Sequence, residues 1–297
     1  MRDPIDSSVE LDLLEAKARH PAWGAKKLLA FLWGEEAPLC VRSADRILAR
    51  HGLVRCRHAQ APVQHFERER PNELWQMDFK GVTRRLPYSP LSVIDDCTRF
   101  CLGLLPVAMH SGQEVWDALW GIFGEYGLPD AILTDNEGCF ASPKGHGPSW
   151  LEARLWRLGV RTLQGRVAHP QTQGKVERFH RTIQEELGQA ILQPTAEEAR
   201  TVYGRYVLSY NWERPHEAIQ MRVPGEVYLT SIRIRPARLP EARIEGECRK
   251  VDASGKFCYK SKRYRAGKGL IDEWVDIQGE EIFYAGVMIG PMSELRV

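Results

Sequence analysis

Between residues 74 and 187, short apolar runs of strand length alternate with helix-patterned stretches, and their order leaves few folds open. Leu74 to Lys80 reads as a strand, as do Leu91–Ile94 and Phe100–Val107, with Asp95, Asp96 and Thr98 in the turn between the last two. Ser111 with Glu114 forms a capping box for a helix whose buried stripe is Val115, Leu119, Ile122 and Tyr126, and Gly127 and Pro129 stop it. Ala131–Thr134 is a short buried strand ending at Asp135, Leu151–Leu158 is helical, and Val160–Leu163 is another strand. A helix after Gly174 carries Val176, Phe179, Ile183 and Leu187 on one side. A further helix, capped by Thr195 and Glu198, buries Ala199, Val202, Tyr206 and Tyr210. Hairpin-like strands followed by strand–helix alternation require an α/β unit, a mixed sheet with helices packed on it.

At 297 residues the chain is too long for one typical domain. Residues 1–53 predict three short helices. The second carries Ala25, Leu28, Leu29 and Leu32; the third is capped by Ser43, stops at Gly52 and places Arg42, Arg46 and Arg50 on one face. This pattern fits part of a helix-turn-helix module, although the link from Gly34 to Arg42 is long for a tight turn; a plain helical bundle is the alternative. Residues 54–73, with Pro62 and Pro71, read as a linker, and the α/β unit occupies 74–228. Residues 229–297 switch to short strands (Phe257–Tyr259, Leu270–Val275, Glu281–Phe283 and Val287–Ile289) punctuated by glycines, the pattern of a small β-barrel-like domain.

The net charge of +2 points to no partner, but its distribution is uneven. Residues 230–270 hold 12 basic and 4 acidic residues, against 16 and 19 in 71–229. A basic stretch beside an acidic middle suits a nucleic-acid contact next to a carboxylate site; a solvated basic face is the alternative. Lys260, Lys262, Arg263 and Arg265, with Tyr259 and Tyr264 interleaved, are the candidates for tracking a DNA backbone. No apolar run is long enough for a membrane span, no secretion signal opens the chain, and seven scattered cysteines without a C-x-x-C imply a reducing, cytoplasmic setting.

Three carboxylates stand where a sheet-based active site would place them. Asp78 lies within the first strand on the face opposite Met77 and Phe79, Asp135 ends a strand, and Glu177 stands off the apolar stripe of its helix. If packing brings them together, their repulsion calls for divalent cations. Oxygen-only donors select Mg²⁺ or Mn²⁺, and a pair of ions suits phosphodiester chemistry. Lys175, Arg178 and Arg181 share the helix of Glu177 and are candidate phosphate contacts; His169 and His180 flank it. Asp95 and Asp96 read as turn acids. A two-carboxylate glycosidase leaves the third acid unexplained, and no P-loop motif occurs.

At these residues the chain resembles the DDE-type transposases of bacterial insertion sequences, whose core is retroviral-integrase-like with the RNase H-like fold. The resemblance rests on Trp75-Gln-Met-Asp78-Phe-Lys80, Leu91-Ser-Val-Ile-Asp95-Asp96-Cys-Thr-Arg99-Phe100, Thr134-Asp135-Asn136, His169-Pro-Gln-Thr-Gln-Gly174-Lys-Val-Glu177-Arg-Phe-His-Arg181 and Tyr210-Asn-Trp-Glu-Arg214-Pro215-His216, all in order. It implies a five-stranded mixed sheet, with Asp78, Asp135 and Glu177 as catalytic residues holding two Mg²⁺ or Mn²⁺ ions. It also implies hydrolysis at transposon ends, attack of the freed 3′-hydroxyl on target DNA, and a homo-oligomer on double-stranded DNA, associated with the bacterial nucleoid when bound. Two features depart from the pattern. The family's Asp-Asn-Gly reads Asp135-Asn136-Glu137-Gly138 here, and 41 residues separate Asp135 from Glu177, more than is usual. The chain also starts near the second of the two helix-turn-helix modules common in such proteins, the expectation for a shortened copy. The alternative reading is an inactive or truncated relative that only binds DNA.

Overall fold

The computed structural model describes residues 6–54, 67–81, 86–108, 111–143, 145–165 and 174–297. Its centre is a five-stranded sheet of β1 (Trp75–Phe79), β2 (Ser89–Asp95), β3 (Cys101–Val107), β4 (Ala131–Thr134) and β5 (Arg161–Gln164), in the order β3-β2-β1-β4-β5. The first three strands form an antiparallel meander, and β4 and β5 add in parallel to β1. This is the mixed sheet that the order of sequence patterns requires.

Strand alternation decides what each face meets. On one face Trp75, Met77, Phe79, Leu91 and Val93 pack with α4 (Gly112–Tyr126) and α5 (Trp150–Arg157), which contribute Val115, Leu119, Phe123, Leu151 and Leu155. On the other face Ile94, Cys101 and Leu104 pack with α6 (Gly174–Glu186) and α7 (Ala196–Trp212) through Val176, Phe179, Ile183, Tyr203, Tyr206 and Tyr210. Glu198 and Thr195 complete the expected capping box at the start of α7. At α4 half of the expected box is seen, the Ser111 hydroxyl accepting from the Glu114 N–H. A reciprocal box forms at α5, where Ser149 and Glu152 satisfy each other's backbone N–H groups.

The N-terminal helices α1 (Ser7–Arg19), α2 (Ala25–Trp33) and α3 (Val41–Arg50) enclose their own core of Leu13, Leu28, Leu29, Ile47 and Leu48. The long link between α2 and α3 is partly taken up by a 3-10 turn at Gly34–Glu36. Helix α3 begins at Val41 with Cys40 at the cap, earlier than a Ser43 cap predicts; Ser43 lies in the first turn, its hydroxyl 3.3 Å from Cys40 Sγ. This bundle meets the sheet unit where the Trp23 indole donates to Glu186 at the end of α6 (3.1 Å).

The C-terminal unit is β-rich and separate from the main sheet. β6 (Glu247–Lys250), β9 (Trp274–Gln278), β10 (Glu281–Tyr284) and β11 (Val287–Pro291) form one sheet in the order β11-β10-β9-β6, and β7 (Lys256–Tyr259) pairs with β8 (Lys262–Arg265). Two strands go beyond the sequence expectation, β6 and β8, and Leu270 belongs to a 3-10 turn rather than a strand. The unit rests on α5, with Ala153 and Trp156 in its core and Arg157 paired to Glu273 at 3.0 Å. Ahead of it residues 231–235 strap the sheet unit. Arg233 donates to the Leu158 and Gly159 carbonyls (3.0 and 2.9 Å), and Arg235 lies 4.4 Å over the Trp120 ring.

Candidate active site

Asp78 sits in the middle of the sheet because β1 is its central strand. With Trp75, Met77 and Phe79 buried on the α4/α5 face, Gln76 and Asp78 project toward α6. The parallel ladder of β1 and β4 pairs Trp75 with Ile132 and Gln76 with Leu133, and that register continued two steps sets Asp135 level with Asp78. Neighbouring strands lie about 5 Å apart, so the two carboxylates share one end of the sheet. Asp135 also closes a turn by accepting from the Glu137 N–H at 2.9 Å. Glu177, in the first turn of α6, is exposed beside the same region, with Arg178 and Arg181 exposed on its helix.

The electrostatics show the three acids in one field. Burial, then the charges of Asp135, Glu137 and Glu177, push the Asp78 carboxyl up to about 7, while the Phe79 backbone pulls it down. Glu137, the acid interposed in the Asp-Asn-Gly pattern, therefore adds to the crowding at Asp78. Among the described residues no group of three His, Cys, Asp or Glu side chains is gathered into a ready-made metal cluster. The three acids are linked here by their charges on one another. Their chemistry fits a divalent cation: all donors are oxygens, and Asp78 bears a repulsion that such an ion relieves.

His180 adjoins Asp78, its Nδ1 3.9 Å from Oδ2, with Nε2 3.0 Å from the Ser92 hydroxyl. Burial and the nearby Lys80 push its pKa down to about 4, so the ring is neutral at neutral pH and the 3.9 Å approach is not an ion pair. Lys80 is itself buried, which lowers its pKa. The alternation that puts Asp78 on this face puts Gln76 and Lys80 there as well, although neither is an acid.

The other sequence candidates separate. Lys175 is not presented to a ligand: its ammonium is 2.6 Å from the fully buried Asp96. Burial lowers its pKa and Asp96 opposes that shift. Asp95 is a turn acid as expected, whereas Asp96, in the same turn, is held by partners from outside it. Asp95 accepts from the Thr98 N–H and hydroxyl (2.8 and 2.7 Å) and from the Asn72 N–H (2.7 Å), and Asp96 from the Arg68 N–H (2.9 Å). Arg42, Arg46 and Arg50 are exposed on α3, Arg50 paired to Glu10 at 3.0 Å. Arg42 and Arg46 also line a cleft of about 550 Å³ between the N-terminal helices. Lys260 and Lys262 are exposed, Arg265 is half-buried, and Arg263 is held by Asp252 at 2.6 Å. Tyr259 and Tyr264 pack in the β-unit's core, and the Tyr259 ring still meets the surface charges, with Arg249 and Lys260 each 5.1 Å from its centre. His169 lies outside the described residues, as does most of the expected linker 54–73.

A central antiparallel meander extended by parallel strands, with helices on both faces, has the RNase H-like architecture. Comparison with known proteins agrees: the integrase core domain family matches residues 68–170 and again 158–224. The unit these matches span is an integrase core of the type found in insertion-sequence transposases and retroviral integrases. Such cores perform polynucleotidyl transfer and typically use a divalent metal. A 31.7 kDa protein of insertion element IS407 from Burkholderia multivorans is 25% identical over 222 residues, covering 72% of this chain and 78% of that protein. The Pol polyprotein of radiation murine leukemia virus is 27% identical over 186 residues, covering 59% of this chain and 31% of that protein. The HTLV-2 integrase catalytic core domain in complex with magnesium superposes with a TM-score of 0.43 at 16% identity, covering 54% of this chain and 98% of that one.

Proposed function

We propose that the chain is a DNA transposase that hydrolyses a phosphodiester at each transposon end and joins the freed 3′-hydroxyl to target DNA. The observation that carries this reading is the strand register, which sets Asp135 level with Asp78 at one end of the sheet, beside the first turn of α6 that carries Glu177. Asp78, Asp135 and Glu177 would hold two Mg²⁺ or Mn²⁺ ions. Bound there, the ions would supply charge neutralisation at the phosphoryl oxygens and a lowered pKa for the attacking hydroxyl. Asp78 lies on the central strand and Asp135 directly follows its neighbour, so two of the three donors would be carried by the sheet. The neutral His180 ring, held by Ser92, packs beside Asp78 without competing as a cation. Both steps are in-line displacements at phosphorus: water or a 3′-hydroxyl attacks, its proton is released, and the leaving 3′-oxygen departs opposite.

The double-stranded DNA would be positioned by exposed cations: Arg42 and Arg46 on α3, Arg178 and Arg181 beside Glu177, and Lys260 and Lys262 on the β-unit. Two ends must be held together for joining, so the working form would be a homo-oligomer on DNA. The test is a strand-transfer assay with Mg²⁺ or Mn²⁺ and oligonucleotides bearing the element's ends, comparing wild type with Asp78→Asn. Activity falling below roughly 1% of wild type in the variant is expected for loss of a metal-holding carboxylate. Undiminished activity in the variant would exclude the assigned role. A folded wild type that binds its correct ends but transfers nothing would make the chain a DNA-binding relative only.

A further inference from the structure

We infer that Gln76, Asp96 and Lys175 act together as positioning residues, a buried clamp that fixes Glu177 relative to Asp78. The inference rests on the metal-site reading above and assigns these three residues no contact with substrate.

The geometry is specific. Asp96, fully buried in the turn after β2, accepts from the Gln76 side-chain amide through Oδ1 (2.7 Å) and from the Lys175 ammonium through Oδ2 (2.6 Å). The other end of the Gln76 amide, Oε1, accepts from the Val176 backbone N–H at 3.2 Å. Lys175 and Val176 are the two residues directly before Glu177, and both are tied to the sheet. First-turn N–H groups of a helix have no partner inside the helix. Here β1 supplies the acceptor for one of them, from the residue two positions before Asp78 and on the same face. The strand that carries one carboxylate thus sets the start of the helix that carries another. Glu177 itself is exposed, and a long exposed side chain needs its backbone fixed to act as a ligand. The Lys175–Asp96 pair keeps the clamp closed, because withdrawing the ammonium would leave a buried carboxylate uncompensated.

The test uses the full chain and three variants: Gln76→Met, the charge-balanced double variant Lys175→Met/Asp96→Asn, and Lys175→Met alone. Amide hydrogen exchange of the metal- and DNA-free protein is read at Val176 and Glu177, with the middle of α6 and thermal unfolding as controls for global damage. Mn²⁺ affinity is measured by calorimetry and DNA affinity at several salt concentrations. Gln76→Met and the double variant are expected to speed exchange at the start of α6 by at least about tenfold. They should also weaken Mn²⁺ binding by roughly 10–100-fold, with DNA affinity and its salt slope unchanged. If Gln76→Met does not fold, the double variant carries the same readout. Unchanged exchange and Mn²⁺ affinity in folded variants would overturn the clamp. So would a Lys175→Met defect confined to DNA affinity with the salt slope reduced by about one, the mark of a phosphate contact. A wild type that binds no Mn²⁺ would remove the metal-site reading and the positioning role with it, while exchange would still show whether the contacts hold the helix start.

Discussion

Asp78 concentrates the physics of the site in one side chain. Its carboxyl is pushed up to about 7 from a reference of 3.8, so the native state retains a proton that the unfolded chain has already released. The stability this group contributes is full below about pH 4 and is lost as pH rises through about 7. Urea unfolding of metal-free protein should therefore show a falling contribution across that window, and Asp78→Asn should remove it. Direct titration of the Asp78 carboxyl by NMR should give a midpoint near 7, moving down in Asp135→Asn because one repelling charge is gone. A midpoint near 4 in wild type would contradict the crowding. At this scale the acids were legible from strand alternation and strand ends, whereas the roles of the cations were not. Lys175 reads as a phosphate ligand from its place beside Glu177, but its partner Asp96 is 79 residues away, and only packing of α6 on the turn after β2 brings them together.

The elements that sequence periodicity marks are those with a continuous buried face. The stripes of α4, α6 and α7 face the core mostly as read, but Tyr126, Leu187 and Val202 are only half-buried, and Trp116, Phe123 and Tyr203 are buried members the read stripes omit. Strands β6 and β8 escape the pattern because they read Glu-Cys-Arg-Lys and Lys-Arg-Tyr-Arg, with Tyr264 their only fully buried side chain. Their pairing comes from neighbours, not from their own hydrophobicity. Capping is legible and measurable: Thr195→Ala should cost about 1 kcal/mol in chemical denaturation by breaking the capping box of α7. The seat of the β-unit on α5 is not legible, since it depends on close backbone approach. Gly147 has a φ of +74°, and a Cβ there would lie 1.8 Å from the Ala266 carbonyl oxygen. Gly147→Ala should loosen this contact, seen as faster limited proteolysis between residues 236 and 246 with the sheet unit's far-UV signal retained. An unchanged cleavage rate would show that the contact is not needed to seat the β-unit.

Across the whole molecule, exposed cations occur on the N-terminal bundle, on α6 and on the β-unit, while the candidate acids stand on β1, at the end of β4 and on α6. That division predicts a graded response to salt. Removing Arg42 and Arg46 together should lower the salt slope of DNA binding by about two, and removing Lys260 and Lys262 should do the same, if each contacts one phosphate. Fluorescence anisotropy over a salt series measures both. Slopes unchanged in either pair would take that surface off the DNA path. The fold class followed from the order of strand and helix patterns, whereas the link from Trp23 to Glu186 and the strap of residues 231–235 emerge only in three dimensions.

The central claim is that acids from β1, from the end of β4 and from α6 serve one pair of ions. The most direct measurement is an anomalous difference map from crystals of the full chain grown with Mn²⁺. Density bridging Asp78 and Asp135, with Glu177 reaching the same cluster, is the predicted result. Ordered Mn²⁺ bound elsewhere, with Asp78 touching none of it, would contradict the claim.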